Sequence, residues 1–202
     1  MSSMKSMLAV SFVVALLSLS VSAQEHSRPS STPSTPRTTN TPRPSTSPSN
    51  LPDTGGWVRF TSPEGRFTVL MPETPTDKQN VEQSEHGPFT THLFIVRDTQ
   101  SVYLIGWVDY DPNFNFNRSL ELEANRDNFV KGVSATLLTT KTLEIDGYSA
   151  LEFTCETTDR IFKSRVYMVG RRPYQIVIGS PKGLDDSISL NRFFGSFKIN
   201  RP

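Results

Sequence analysis

Ser101 to Tyr110 reads SVYLIGWVDY, and this stretch decides the fold. Side chains alternate across a strand. Val102, Leu104 and Val108 therefore share one face, and Tyr103, Ile105 and Trp107 share the other. Both faces are apolar, so the segment is expected to be a central strand covered on both sides. Thr90 to Val96 precedes it across Arg97-Asp98-Thr99-Gln100 and completes a hairpin.

Upstream, Trp57 to Thr61 and Arg66 to Met71 form a strand pair around Ser62-Pro63-Glu64-Gly65, a turn string with Pro at a favoured position and Gly closing. Downstream, Ser119 to about Lys131 has helical character. Ser119 is the expected N-cap, and Glu121 and Glu123 lie in the first turn, where the helix dipole favours acids. Leu122, Phe129, Val130 and Val133 give its apolar face, and Gly132 suits its C-cap. Strands are expected over Leu137–Ile145, Ser149–Glu156, Ile161–Val169 and Tyr174–Ile178. Asp146-Gly147 is a hairpin dipeptide, and Gly170-Arg171-Arg172-Pro173 turns the next pair. A last helix is expected from Ser180-Pro181, with Leu184, Ile188 and Phe194 inward and Phe197 near its end. The order is ββ-ββ-α-ββββ-α. That implies an α+β fold: a mainly antiparallel sheet flanked by two helices.

The region before this domain has a different composition. Residues 1–23 carry Lys5, an apolar run from Met7 to Val21 and the small residues Val21-Ser22-Ala23, the pattern of a signal peptide cut after Ala23. Residues 24–53 contain 7 Pro and 13 Ser or Thr, with Leu51 the sole large apolar residue. Such a segment buries too little apolar surface to offset its ordering entropy and is expected to be a disordered, semi-stiff linker. Residues 54–202 are then one α-β sandwich domain. Leu51-Pro52-Asp53-Thr54-Gly55 matches a sortase signal as a string. A whole domain is expected after it, however, and Lys198 to Pro202 carries no apolar run, so the string is expected to be a hinge between linker and domain.

Three stretches resemble the PsbP/Mog-type superfamily. They are FTSPEGRFTVLMPETP (Phe60–Pro75), IDGYSALEF (Ile145–Phe153), and RPYQIVIGS followed by LNRFFGSF. The resemblance implies an α-β-α sandwich and a family of mostly non-catalytic binding modules. That superfamily includes photosystem II extrinsic proteins and a Ran-binding nuclear transport factor. The secretion signal argues against the nuclear role, and no Arg-rich transit peptide is present to suggest the photosystem one.

From Thr54 onward the chain has 17 Lys or Arg and 18 Asp or Glu, intermixed, so no basic field exists for nucleic acid. Cys155, the one cysteine, permits no internal disulfide and alternates with Leu151 and Phe153 onto an apolar face, so it is expected to be a buried, unreactive thiol. His26 lies in the linker, and His86 and His92 lack metal-ligand spacing, so these histidines are expected at the surface or half-buried.

Asp109 to Asn117 places oxygen-bearing side chains at every second position: Asp109, Asp111, Asn113, Asn115. This is the periodicity of calcium loops. The EF-hand template fails at its Gly, which is Phe114, and at its bidentate Glu, which is Leu120. A looser Ca²⁺ site is left as the one cofactor option. Tyr110, Phe114 and Phe116 in the same loop are expected partner contacts. Asn117-Arg118-Ser119 is a glycosylation acceptor pattern. The carboxylates Asp109, Asp111 and Glu121 could serve a hydrolase if a cleft gathered them, while Asp185-Asp186 and Glu82 with Glu85 are further acidic pairs. Arg171-Arg172 at a hairpin tip could grip an anion or simply be solvated.

The expected function is an exported, non-catalytic binding module on a stalk, secreted, periplasmic or in the cell envelope. It is expected to be monomeric, with an unidentified protein or envelope partner and no membrane span after cleavage. The alternatives are a carboxylate hydrolase and a calcium-dependent adhesion module.

Overall fold

The computed structural model describes residues 56–84, 87–113 and 117–200. The signal peptide, the linker and the sortase-like string lie outside them, as do His26, Glu85, His86, Phe114, Asn115 and Phe116.

Seven strands form one antiparallel sheet: β3 (Thr76–Ser84), β4 (Gly87–Arg97), β5 (Val102–Tyr110), β6 (Thr136–Ile145), β7 (Tyr148–Glu156), β8 (Arg160–Val169) and β9 (Arg172–Pro181). Their order is β3-β4-β5-β9-β8-β7-β6. β5 is interior, between β4 and β9, as its two apolar faces require. A second, smaller antiparallel sheet has order β1-β2-β10, from β1 (Val58–Ser62), β2 (Phe67–Met71) and β10 (Lys198–Ile199).

Two cores lie on the two faces of the large sheet. On one face, helix α1 (Arg118–Gly132) lays Leu122 and Phe129 against Leu104, Phe153, Cys155, Phe162 and Val177. On the other, Phe67, Val69 and Met71 of β2 and Phe193 and Phe194 of helix α2 (Ser187–Ser196) pack on Tyr103, Ile105 and Trp107. Phe67 is the hub of this second core, with ring centroids 5.5 to 6.1 Å from Phe60, Phe94, Trp107 and Phe197. Full burial of a phenylalanine such as Phe67 or Phe197 is worth about 1.5–3 kcal/mol.

The fold is sheet-rich with two helices, and several expectations need correction. The second layer is not a helix alone but a small sheet with α2 beside it, because the first strand pair joins β10 instead of the large sheet. β3 was not expected at all: TDKQNVEQS carries one apolar residue, Val81, which is 65% exposed. Its polar composition suits an edge strand held by backbone pairing with β4.

The last helix begins at Ser187, not at Ser180-Pro181, which end β9. Ser180 is buried instead in a network: Ser101 and Ser180 hydroxyls meet at 3.1 Å, Ser180 donates to Asp186 at 3.0 Å, and Lys163 pairs with Asp186. Ile188, expected inside, is 81% exposed. The N-cap of α1 is Asn117, whose Oδ1 accepts from the Leu120 amide at 3.3 Å, not Ser119. The positive φ after that helix falls on Ser134, not on Gly132.

The hairpin dipeptide behaves as its sequence indicates. Asp146 and Gly147 have φ +54° and +81°, both in the left-handed region that a type I′ turn needs. Gly65 is required for a different reason. A Cβ there would lie 2.6 Å from the Phe67 ring and 2.8 Å from Ser62 Oγ.

Candidate functional site

Alternation along β5 separates the acids read from the sequence. Asp109 shares a face with Trp107, on the side of the small sheet. Tyr110 points to the other side, where it donates to Glu121 of α1. Asp109 and Glu121 thus lie on opposite faces and do not converge.

Each is engaged locally. Asp109 Oδ1 accepts from Arg172 Nε at 2.6 Å, and Oδ2 accepts from Trp107 Nε1 at 3.1 Å. His92 stacks on Trp107 with centroids 4.2 Å apart and planes 5° apart, its Nε2 3.4 Å from Asp109 Oδ2. Its Nδ1 is 3.8 Å from Glu64 Oε1. His92, expected at the surface or half-buried, is buried. Arg172 also donates to the Glu64 carbonyl at 2.9 Å and lies 5.8 Å over the Trp107 ring. This cluster ties the β1–β2 turn to the large sheet. On the other face, burial raises the Glu121 carboxyl pKa above the ordinary value, against hydrogen bonds from Tyr110 and Asn125. The same burial raises Tyr110. Among the described residues, Thr91 Oγ1, Asn125 Oδ1 and Gln175 Oε1 are buried without a hydrogen-bond partner.

The remaining loop residues hold the turn. Asp111 Oδ1 accepts from the Asn113 amide at 2.8 Å, the Asp111 amide donates to the Pro88 carbonyl at 3.2 Å, and Arg171 Nη2 donates to the Asp111 carbonyl at 3.1 Å. The Asp111 loop, the start of β4 and the β8–β9 turn therefore meet at one end of the sheet. Among the described residues no group of three His, Cys, Asp or Glu gathers to hold a metal. Asp185 accepts from the Ser187 amide at 3.0 Å, which lowers its carboxyl pKa. Glu82 accepts from Asn80 on exposed β3. Cys155 is fully buried, and burial pushes its thiol up to about 11.

At the opposite end of the sheet a cleft of about 440 Å³ opens between the β4–β5 turn, the C-terminal end of α1 and the β7–β8 turn. Val102, Val133 and Phe162 give it apolar walls, and Thr99, Ser134 and Thr157 add hydroxyl-bearing residues. Its acids are turned to local work. Asp98 accepts from the Gln100 and Ser101 amides at 2.8 and 2.6 Å and from Tyr103 at 2.9 Å, and Asp159 accepts from Thr157 at 3.0 Å. Arg160 is fixed by the carbonyls of Gln100 and Gly179, both at 3.2 Å. Sequence reasoning took Arg97 to Gln100 only as a turn. Nothing local in that string tells that α1 and the β7–β8 turn close around it.

No protein-family model matches the chain, and no curated protein matches it. Among solved structures, 15 chains match. One is the solution structure of cyanobacterial PsbP from Synechocystis, matched over 73% of this chain and 94% of that one at 10% identity, with a TM-score of 0.48. Another is a crystal structure from Bacteroides thetaiotaomicron, matched over 71% of this chain and 48% of that one at 15% identity, with a TM-score of 0.33. No helix among the described residues is long and apolar enough to cross a membrane.

Proposed function

We propose that this chain is an exported, non-catalytic binding module of the PsbP/Mog type. It is carried outside the cytoplasm on its Pro/Ser/Thr-rich stalk and takes a ligand in the cleft between the β4–β5 turn, α1 and the β7–β8 turn. The observation that carries this reading is the cleft itself. About 440 Å³ lies in the usual range of small-ligand sites, and apolar walls with a few fixed polar groups are their usual chemistry. The loop around Tyr110 and Asp111, where three connections meet, is a second surface suited to a macromolecular partner.

The alternatives have less to draw on. A hydrolase built on Asp109, Asp111 and Glu121 needs carboxylates in one cleft, and two of these lie on opposite faces of the sheet. A calcium site would have to take Asp109 from Arg172 and Asp111 from its own turn.

Thermal melting of the full chain against single amino acids, dipeptides, monosaccharides and short fatty acids tests the cleft. One class is expected to raise the Tm, and Thr99→Trp, which fills the mouth, is expected to cancel that rise. A rise that survives Thr99→Trp would place binding elsewhere. A flat panel would count against a small-ligand cleft.

A further inference from the structure

A smaller cavity of about 100 Å³ sits between the two sheets, lined by Arg66, Tyr148, Arg172, Tyr174 and Asn200 with Val169 and Ile199. We propose that it is a binding site for a small oxyanion, a carboxylate or a phosphate-type group. It is separate from the cleft described above.

The lining is rich in donors. Two arginines, two tyrosines and one asparagine are among its lining residues, and no Asp or Glu is. The carboxylate whose field reaches Tyr174 is Asp109, and that group is held by Arg172 through Nε and Nη2 at 2.6 Å each. Glu64 turns its backbone carbonyl, not its acid, to Arg172. Asp146, two residues before Tyr148, has its Oδ2 3.5 Å from Lys198 Nζ.

Arg66 has no such commitment. It makes no ion pair with a described residue, and it lines the cavity together with Tyr174, whose hydroxyl accepts from Arg172 at 3.5 Å. Arg66, an exposed residue, is therefore the positive charge at this cavity that no described carboxylate pairs.

Its backbone adds a second observation. Arg66 has φ +51°, a conformation that non-glycine residues adopt at a cost and that Asn or Gly would fill more easily. Side chains held in sparsely populated backbone regions cluster at ligand clamps. The fold also fixes the pose: the Arg66 carbonyl accepts from the Asn200 amide at 2.8 Å, and its amide donates to Pro63 at 3.3 Å. The chain thus keeps a guanidinium at a position where a small turn residue would be less strained.

A cavity of about 100 Å³ has room for a small oxyanion. Charge-assisted and bidentate contacts from arginine are the strong way to hold such a group. Because the lining comes from both sheets, an occupant would cross-link β2 and β10 to the starts of β7 and β9.

The test is amide-resolved NMR of the full chain near neutral pH, titrated separately with sodium phosphate and sodium acetate at ionic strength held constant by sodium chloride. The expected result is saturable shifts clustered on Arg66, Tyr148, Arg172, Tyr174 and Asn200. Response to phosphate alone would identify an inorganic oxyanion site, response to acetate alone a carboxylate site, and both support the proposal. Arg66→Asn keeps the left-handed turn and removes the charge. It is expected to weaken binding about tenfold or more while leaving the remaining spectrum in place. Two results would overturn the inference: shifts no larger than those from chloride, or equal affinity in Arg66→Asn. Neither outcome bears on the larger cleft, which Thr99→Trp tests.

Discussion

Replacing Gly179 by alanine places a methyl group where the structure has no room for one. Gly179 lies in β9 between Val102 of β5 and Phe162 of β8. An added Cβ would meet Phe162 Cε1 at 2.5 Å, Phe162 Cδ1 at 2.7 Å and Val102 Cγ1 at 2.9 Å. Ordinary contact begins near 3.4 Å, so the Phe162 ring has to move by close to an ångström. Behind that ring stands Phe129 of α1, centroids 5.6 Å apart and planes at 74°. Overpacking of this kind costs about 1–3 kcal/mol, a large part of the roughly 5–15 kcal/mol by which domains are stable. Urea unfolding followed by tryptophan fluorescence measures it, with the midpoint falling and the slope m unchanged. A double-mutant cycle isolates the cause. Phe162→Leu alone costs about 1 kcal/mol, and in its presence Gly179→Ala is expected to cost at least about 1 kcal/mol less than it does in the native background. If the two costs simply add, or if Gly179→Ala costs less than about 0.5 kcal/mol, the steric reasoning is wrong.

Other perturbations test the polar groups. Glu121 has its folded pKa raised by burial. The native state therefore keeps this proton to higher pH than the unfolded chain, and stability falls as pH rises from the unfolded value, about 4.3, through the folded one. Glu121→Gln is expected to remove that decline, so its stability relative to the native chain should improve as pH rises; the opposite slope would show that Glu121 is charged at little cost. Arg172→Lys is expected to lose as much stability as Arg172→Met, about 1 kcal/mol for this partly exposed pair, because a lysine cannot reproduce three nitrogens engaged with Asp109, Glu64 and Tyr174. Full retention in the lysine variant by thermal melting would refute this. Cys155, buried with its thiol pushed up to about 11, should react with an aromatic disulfide reagent only as the protein unfolds. Fast labelling in native buffer, with urea making little difference, would contradict its place in the core.

Much of the architecture is local and therefore legible. The two apolar faces of Val102 to Val108 require cover on both sides, and the Asp146-Gly147 dipeptide sets a hairpin through its own left-handed backbone. β3 escaped because an edge strand needs backbone pairing more than an apolar pattern. The start of α2 escaped because Ser180-Pro181 resembles a helix entry, whereas Ser180 has a buried hydroxyl network to join.

The functional groups divide along the same line. By itself the sequence determined which residue types lie in the Asp109–Asn113 loop and that β5 would alternate. It could not tell that Arg172, 63 residues away, would hold Asp109, or that Glu121 would lie across the sheet from it. Nor could it place Arg66, Tyr148 and Asn200 around one cavity. Alternation and turn chemistry act over a few neighbouring residues, so they survive in a linear string. Convergence of charges depends on strand order and on which sheet each hairpin joins, and those are settled only when the two cores pack.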